Sequence, residues 1–176
     1  SIKFPNLHKT RIISMRFYLT TILVLFAAST FSQATDEDEA IKEVIHRVFK
    51  AMELGDSAML RTTFVDNPAT ATVFRSKADE PMLRQDAGIA NFLKAVGTPH
   101  QEVWYEEVWD LEVRRDGDLA QAWCEYAFYV GNKFSHCGVD VFHLFRSKEG
   151  WKIFHLADTR RTTGCDIPQE VQDKHN

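Results

Sequence analysis

The C-terminal half of the chain consists of four strand-forming segments in a row, separated only by tight-turn signals. These segments cover residues 102–115, 119–130, 136–146 and 150–159. Asp116-Gly117 and Gly131-Asn132 separate the first three segments, and a four-residue loop from Ser147 to Gly150 separates the last two. Connections this short join antiparallel neighbours. The region therefore predicts an antiparallel meander.

Helical patterns precede these strands. An acidic start at residues 36–39 leads into apolar residues at helical spacing, which recur up to residue 52 and end at Gly55-Asp56. A second short helix, capped by Asp56 or Ser57, is predicted over residues 57–64. Helices followed by a long sheet predict an α+β fold, in one domain over residues 35–176.

The stretch between the second helix and the meander contains three more predicted elements. Residues 67–74 favour a strand entered through an Asn-Pro turn. Residues 75–85 are polar and contain proline, which predicts a loop. Asp86 is then expected to cap a third helix, which Gly97 ends.

The N-terminal 34 residues have the pattern of a targeting segment. Met15-Arg16 is followed by an apolar run of roughly a dozen residues, and Ser32-Gln33-Ala34 matches a small-x-small cleavage site. We expect a secretory signal peptide over Met15–Ala34, preceded by an upstream extension over residues 1–14. This predicts a secreted or periplasmic protein without a stable membrane anchor after cleavage. An uncleaved anchor is the alternative.

The last hairpin carries the strongest candidate for proton transfer. If Arg146 pairs with Trp151, regular pairing puts Phe142 opposite His155, so that Asp140 and His155 become diagonal neighbours on one face. A carboxylate beside an imidazole raises the pKa of the imidazole and orients it, as a general base requires. The alternative is a buried, hydrogen-bonded structural pair.

Further polar and aromatic residues of the meander are candidates for binding a ligand. Asp158 and Arg160, with Arg161, form either an anion clamp or a local salt bridge. His136 is expected near Tyr126 or Phe128. Aromatic side chains that line a cavity or fill the core complete the candidate set, which consists of Trp109, Tyr126, Phe128, His136, Phe142, Trp151, Asp158 and Arg160.

Both faces of the last hairpin are largely apolar. Residues 140, 142 and 144 alternate with residues 139, 141 and 145, and neither set is polar enough for a fully solvated face. One face should pack on the helices and the other on a second copy of the chain. The pattern therefore predicts a homodimer through the outer sheet face.

The three cysteines divide into one buried and two that flank the last hairpin. Cys124 lies in mid-strand, where a cysteine is usually a small buried side chain. Cys137 and Cys165 are able to pair in an oxidising compartment, or to remain reduced.

The segments "TTFVDNPATATVF" and "SHCGVDVFHLFRSKEGWKIFHLADTRR" resemble those of the nuclear transport factor 2-like superfamily, in particular its lumazine-binding-type branch. The resemblance covers residues 36–165. It implies a cone-shaped α+β fold, with a curved antiparallel sheet wrapped by N-terminal helices around a cavity, commonly dimeric through the outer sheet face. Superfamily members include ketosteroid isomerases, dehydratases, polyketide cyclases, epoxide hydrolases and non-catalytic modules, so the fold does not select a function.

Three functions are consistent with these observations. The leading hypothesis is a protein that binds a small, largely apolar organic molecule in the cone. The alternatives are a lyase or isomerase that uses Asp140 and His155, and a non-catalytic dimeric interaction module. No basic stripe indicates a nucleic-acid partner at a net charge of −4, and no nucleotide-binding or G-x-S-x-G motif occurs. We expect no cofactor. We also expect no metal, because the alternation of side chains along the strands places the histidines on both faces of the sheet.

Overall fold

The computed structural model describes residues 36–176. The predicted signal peptide and upstream extension lie outside these residues. Residues 40–176 form one compact unit, and residues 36–39 of the preceding unit are helical. No helix in the described part of the chain is long and apolar enough to cross a membrane.

Two N-terminal helices form as predicted, joined by a tight reversal. Helix α1 covers residues 36–54, and helix α2 covers Ser57–Thr63. Gly55 ends α1 at φ 66°, with its N–H bonded to Met52 and the N–H of Asp56 bonded to Ala51. This is a Schellman pattern, which favours glycine. Asp56 then caps α2, because its Oδ1 accepts the Met59 N–H at 2.8 Å.

In the part of the chain that the structure describes, six strands form one sheet. They are β1 Phe64–Arg75, β2 Pro81–Ala87, β3 Trp104–Asp116, β4 Leu119–Val130, β5 Lys133–Ser147 and β6 Gly150–Arg160, in the order β2-β1-β6-β5-β4-β3. The predicted α+β class and meander are confirmed. The sheet is mixed rather than wholly antiparallel, because β1 runs parallel to β6.

Two predictions between α2 and the meander are wrong. Residues 81–87, which were expected to be loop and helix start, form β2 as an antiparallel partner of β1. Helix α3 begins at Ala90 instead of after Asp86, and it ends at Gly97 as predicted. Strand propensity does not predict β2, because β2 is an exposed edge strand without an apolar face. Its backbone pairing to β1 holds it in place.

β-Bulges bend the long strands. In β3 two residues, Asp110 and Leu111, stand against one residue of β4, and Asp110 adopts φ 50°. In β6, Phe154 is the extra residue, because Leu144 pairs with Ile153 while His143 pairs with His155. Bulges increase local twist and strand curvature, which wraps the sheet around its concave side.

The concave side of the sheet meets the helices in the main core. Buried side chains of α1 pack there with Phe142, Leu144 and Ile153 of the sheet. Cys124 is also buried in this core, as predicted, and burial raises the pKa of its thiol.

A C-terminal arm, residues 161–176, returns across the other side. It is tied down by a disulfide between Cys137 and Cys165, and its helix α4 (Gln169–Asp173) buries Val171 against Ala127 and Tyr129.

Candidate functional site

A cavity of about 350 Å³ lies between the helices and the concave side of the sheet. Helices α1 and α3 form one wall, and all six strands contribute the rest. Two larger hollows, of about 600 and 620 Å³, are more open to solvent and offer less enclosed surface to a ligand. The inner cavity is therefore the candidate site.

Two carboxyl groups meet inside this cavity. Asp140 of β5 is buried, with 4% exposure, and Glu106 of β3 is half-buried where it borders the cavity. The two side chains lie within hydrogen-bonding reach of each other. At this separation each carboxyl opposes the ionisation of the other, which favours a proton on the pair.

The surroundings favour that protonated state. Burial raises the pKa of Glu106 to about 7, although the hydrogen bond to Asp140 and the charge of Arg160 oppose the rise. Burial, and then the neighbouring charge of Glu106, raises the pKa of Asp140 well above its ordinary value. A carboxyl pair of this kind can hold a proton at neutral pH and can donate or accept one.

A third carboxyl group, that of Asp158 of β6, has a hydrogen-bond partner at each of its oxygens. Its Oδ1 accepts the Thr72 hydroxyl at 2.6 Å and its Oδ2 accepts Arg160 Nε at 2.6 Å. Arg84 of β2 donates to Thr72 Oγ1 at 3.3 Å, which connects the edge strand to the same network. This end of the cavity is therefore built from paired charges.

Tyr126 and His136 border the cavity as neutral groups. The Tyr126 hydroxyl donates to the Thr159 carbonyl at 2.9 Å, and burial raises the pKa of this phenol. Burial, and then the positive charge of Arg160, lowers the pKa of His136 to about 4. The His136 ring packs 5.0 Å from Phe128 and 5.7 Å from Tyr126, centroid to centroid, which confirms the predicted proximity.

Most of the predicted site residues line this cavity together. These are Asp140, Tyr126, Phe128, His136, Phe142, Asp158 and Arg160. The structure does not bring Trp109 or Trp151 into it. Trp109 donates its indole N–H to Glu125 on the opposite side of the sheet, and Trp151 is buried in the main core.

The predicted pairing of Asp140 with His155 is wrong. The bulge at Phe154 shifts the register by one residue, so that Asp140 faces Asp158 and His155 faces His143. The two imidazoles contact each other on the convex side, with 2.9 Å between their Nδ1 atoms. His143 lies on the convex side, as predicted, but His155 joins it there because a one-residue shift reverses the face of each side chain that follows.

The other lining residues were not predicted, among them the charged residues Glu106 and Arg84. Side chains at alternate positions of β3 point to the same face of the sheet, and Glu106 lies on the face that also carries Trp104 and Val108. A charged residue on this apolar face is the feature of the sequence that could have identified Glu106. Arg84 lies on β2, which the sequence pattern did not identify as a strand.

No cluster of three or more metal-ligating side chains occurs among residues 36–176. The chemistry that the cavity itself offers is proton exchange at a buried carboxyl pair and hydrogen bonding to a small molecule. Its apolar walls can bury the remainder of such a molecule.

Comparison with known proteins gives structural matches only. No protein-family model matches the sequence, and no curated protein is significantly similar to it. An NTF2-like protein with a cystatin-like fold from Novosphingobium aromaticivorans superposes with a TM-score of 0.64 at 16% identity, over 81% of this chain and 92% of that chain.

Two further structural matches are to proteins described as candidate enzymes or enzyme subunits. A candidate dehydratase of the NTF2-like family from Streptomyces avermitilis gives a TM-score of 0.58 at 18% identity, over 74% of this chain and 99% of that chain. The beta subunit of a candidate aromatic-ring-hydroxylating dioxygenase from Novosphingobium aromaticivorans gives 0.60 at 15% identity, over 73% and 92%. At these identities the matches establish a common fold.

Proposed function

We propose that this chain, which has the nuclear transport factor 2-like fold, binds a small and largely apolar organic molecule in its inner cavity. The observation that supports the proposal is a partly enclosed cavity of about 350 Å³ that aromatic side chains border and a few polar groups enter. Sites for small ligands typically combine these features. The lumazine-binding-type branch of the fold stays a prediction.

Native mass spectrometry of the protein purified from its own host tests this function. We expect a mass above that of the polypeptide, and its loss on mild unfolding. Ala95 lines the cavity on α3, so Ala95→Phe should fill the space and remove the extra mass.

Ala90→Phe provides the matched control, because Ala90 is exposed on the same helix and does not line the cavity. It should keep the extra mass. A purified protein without bound molecule in both the unmodified chain and Ala90→Phe contradicts the proposal.

A second candidate function is a lyase or isomerase in which Glu106 and Asp140 transfer a proton. The proximity of two carboxyls whose pKa values are both raised favours it. If the bound molecule is a substrate, the protein should catalyse exchange of one of its C–H hydrogens with D2O, as measured by NMR. Exchange that is equally fast with Glu106→Gln contradicts this role.

Export is a separate part of the proposal. The Cys137–Cys165 disulfide supports it, because structural disulfides persist in oxidising compartments. In cells that produce the full chain, the protein should fractionate outside the cytoplasm and lack residues up to Ala34. Protein that stays cytoplasmic with two alkylatable thiols at Cys137 and Cys165 contradicts this part.

We further propose a homodimer through the convex sheet face. Trp123, Phe145 and Phe154 support it, since each of them exposes at least 37% of its surface there. Trp123→Glu together with Phe145→Glu should halve the mass measured by light scattering, whereas Leu54→Glu, on exposed α1 surface, should not. A monomeric unmodified chain contradicts the dimer.

A further inference from the structure

The charges that line the cavity do not balance. Four carboxyl groups and two guanidinium groups border it, namely Asp86, Glu106, Asp140, Asp158, Arg84 and Arg160. No lysine is among the lining residues. The cavity therefore holds an excess of acidic groups.

The two arginines are already matched to two of the acids. Arg160 Nε lies 2.6 Å from Asp158 Oδ2, and Arg84 Nε lies 3.7 Å from Asp86 Oδ2. Arg84 also reaches Thr72, and so is held on the Asp158 side of the cavity. Glu106 and Asp140 remain, and neither belongs to these two ion pairs.

The neighbouring polar groups do not supply the missing positive charge. His136 is the only histidine among the lining residues, and burial beside Arg160 lowers its pKa to about 4, so it is neutral at physiological pH. Arg160 offsets the charge of the pair only in part, because it is bonded to Asp158. Two carboxyls buried side by side each oppose the ionisation of the other, and either a proton or a further cation relieves this.

Aromatic side chains also line the cavity. Six rings line the cavity, those of Phe49, Phe92, Trp104, Tyr126, Phe128 and Phe142. Faces of aromatic rings attract cations through their quadrupoles, most strongly in desolvated sites. Aromatic walls and an acidic centre together are suited to an amine, since they bury its hydrocarbon part and contact its charge.

We propose that the molecule bound in the cavity is an organic cation, an aromatic or alicyclic amine whose ammonium group bonds to Glu106 and Asp140 in place of the proton on Glu106. This inference rests on the proposed ligand-binding function and specifies the class of its ligand. Atoms and charge balance, because the ammonium ion enters and one proton leaves to solvent. The paired arginines remain with Asp86 and Asp158.

The exchange of a cation for a proton makes binding depend on pH. With the pKa of Glu106 raised to about 7, binding at pH 6 must first displace a proton, whereas at pH 8 the carboxylate is already ionised. An amine should therefore bind about tenfold more tightly at pH 8 than at pH 6. A neutral analogue should show no such change.

Isothermal titration of the full chain with phenethylamine and with its neutral analogue 2-phenylethanol tests the inference. At pH 8 the amine should bind at least about tenfold more tightly, as charge-assisted hydrogen bonds require. At pH 6, titration in two buffers of different ionisation enthalpy should reveal release of close to one proton per amine bound.

Glu106→Gln should remove both the preference for the amine and its pH dependence, while 2-phenylethanol binds as before. Glu112→Gln is the matched control, because Glu112 is an exposed glutamate on the same strand outside the cavity. Thermal melting of each variant verifies that it is folded, and loss of a buried like-charge neighbour should not lower the melting temperature of Glu106→Gln.

The outcomes separate the ligand class from the function. If the alcohol binds as tightly as the amine, or if Glu106→Gln keeps the preference, the organic-cation inference is overturned and the binding function stands. If neither probe binds at millimolar concentration and the purified protein also carries no molecule, both are overturned.

Discussion

At the scale of single residues, the position of one glycine and one glutamate determines much of the site. Gly138 of β5 lies where a Cβ atom would come within 1.8 Å of the Thr159 carbonyl oxygen. That oxygen accepts the Tyr126 hydroxyl, so the absence of a side chain at Gly138 lets Tyr126 and β6 approach each other beside the cavity.

Replacement of this glycine should therefore destabilise the protein. We expect Gly138→Ala to lower the free energy of unfolding by about 3 kcal/mol, because backbone atoms have to move apart. Gly97→Ala is the control, since its added Cβ would meet only the movable Ser57 side chain, and the change should stay below about 1 kcal/mol. Urea unfolding measures both, and equal losses would contradict the argument.

Glu106 should make the stability of the fold depend on pH. Its pKa in the folded chain is about 7, above the ordinary value of 4.5, so its contribution is fully present below pH 4.5 and is lost as pH rises through 7. The free energy of unfolding should fall by up to about 3 kcal/mol between pH 5 and pH 8. Glu106→Gln should reduce this fall, and Asp140, whose pKa is also raised, should account for the part that remains, as measured by urea unfolding at the two pH values.

An unchanged pH slope in Glu106→Gln would show that other groups cause the fall. His143 acts in the opposite sense, because burial and then His155 lower the pKa of its imidazole. Its effect is a loss of stability as pH falls below its ordinary value of 6.5. The test therefore compares the unmodified chain with Glu106→Gln at pH 5 and at pH 8. His143 contributes equally to the pH dependence of both proteins, so the difference between them reports on Glu106.

At the scale of elements, bulges rather than regular strands decide which side chains enter the cavity. The bulge in β6 turns Asp158 and Leu156 inward and His155 outward, and the bulge in β3 bends that strand beyond Trp109. Both insert a single residue into an otherwise regular ladder. A local irregularity of one residue therefore controls the composition of the site.

The bulge in β3 offers a direct test at its strained residue. Asp110 has φ 50°, a conformation that glycine adopts at no steric cost, so Asp110→Gly should leave stability unchanged or raise it by up to about 1 kcal/mol. Glu112→Gly, two residues along in regular strand, should lower it by about 1 kcal/mol instead. Equal effects in thermal unfolding would be inconsistent with a bulge at Asp110.

At the scale of the whole molecule, a covalent link holds the C-terminal arm against the convex side of the sheet. The arm contributes Val171 to a small second core, and His175 stacks on Tyr129 with ring centroids 3.9 Å apart. Lys174 also pairs with Glu107 of β3 at 2.6 Å. These contacts are few, so the Cys137–Cys165 disulfide should matter for keeping the arm in place.

Cys165→Ser should accordingly destabilise the protein by about 3 kcal/mol, from the loop of 28 residues that the bond closes. The arm should also become accessible to proteolysis near residue 167, which limited digestion followed by mass spectrometry measures. Cys124→Ser is the control, because Cys124 forms no disulfide and should leave the arm protected. An arm equally protected in both variants would contradict this role of the disulfide.

The sequence alone predicted the α+β class, the meander with its turns, the first two helices and seven of the cavity-lining residues, all between Tyr126 and Arg160. These features follow from local periodicity, capping and turn chemistry, which need no knowledge of distant residues. It also pointed to the nuclear transport factor 2-like fold, which the structural matches confirm.

Only the tertiary structure decided which charged groups meet. Glu106 and Asp140 come from strands that are not neighbours, since β4 lies between β3 and β5, and the edge strand with Arg84 has no periodic signal of its own. The bulge at Phe154 places His155 on the convex side of the sheet instead of the concave side, and no local sequence preference in the hairpin predicts this bulge. The alternation of residue types shows which side chains of one strand share a face. The register between strands and the curvature of the sheet depend instead on the packing of the whole sheet against the helices.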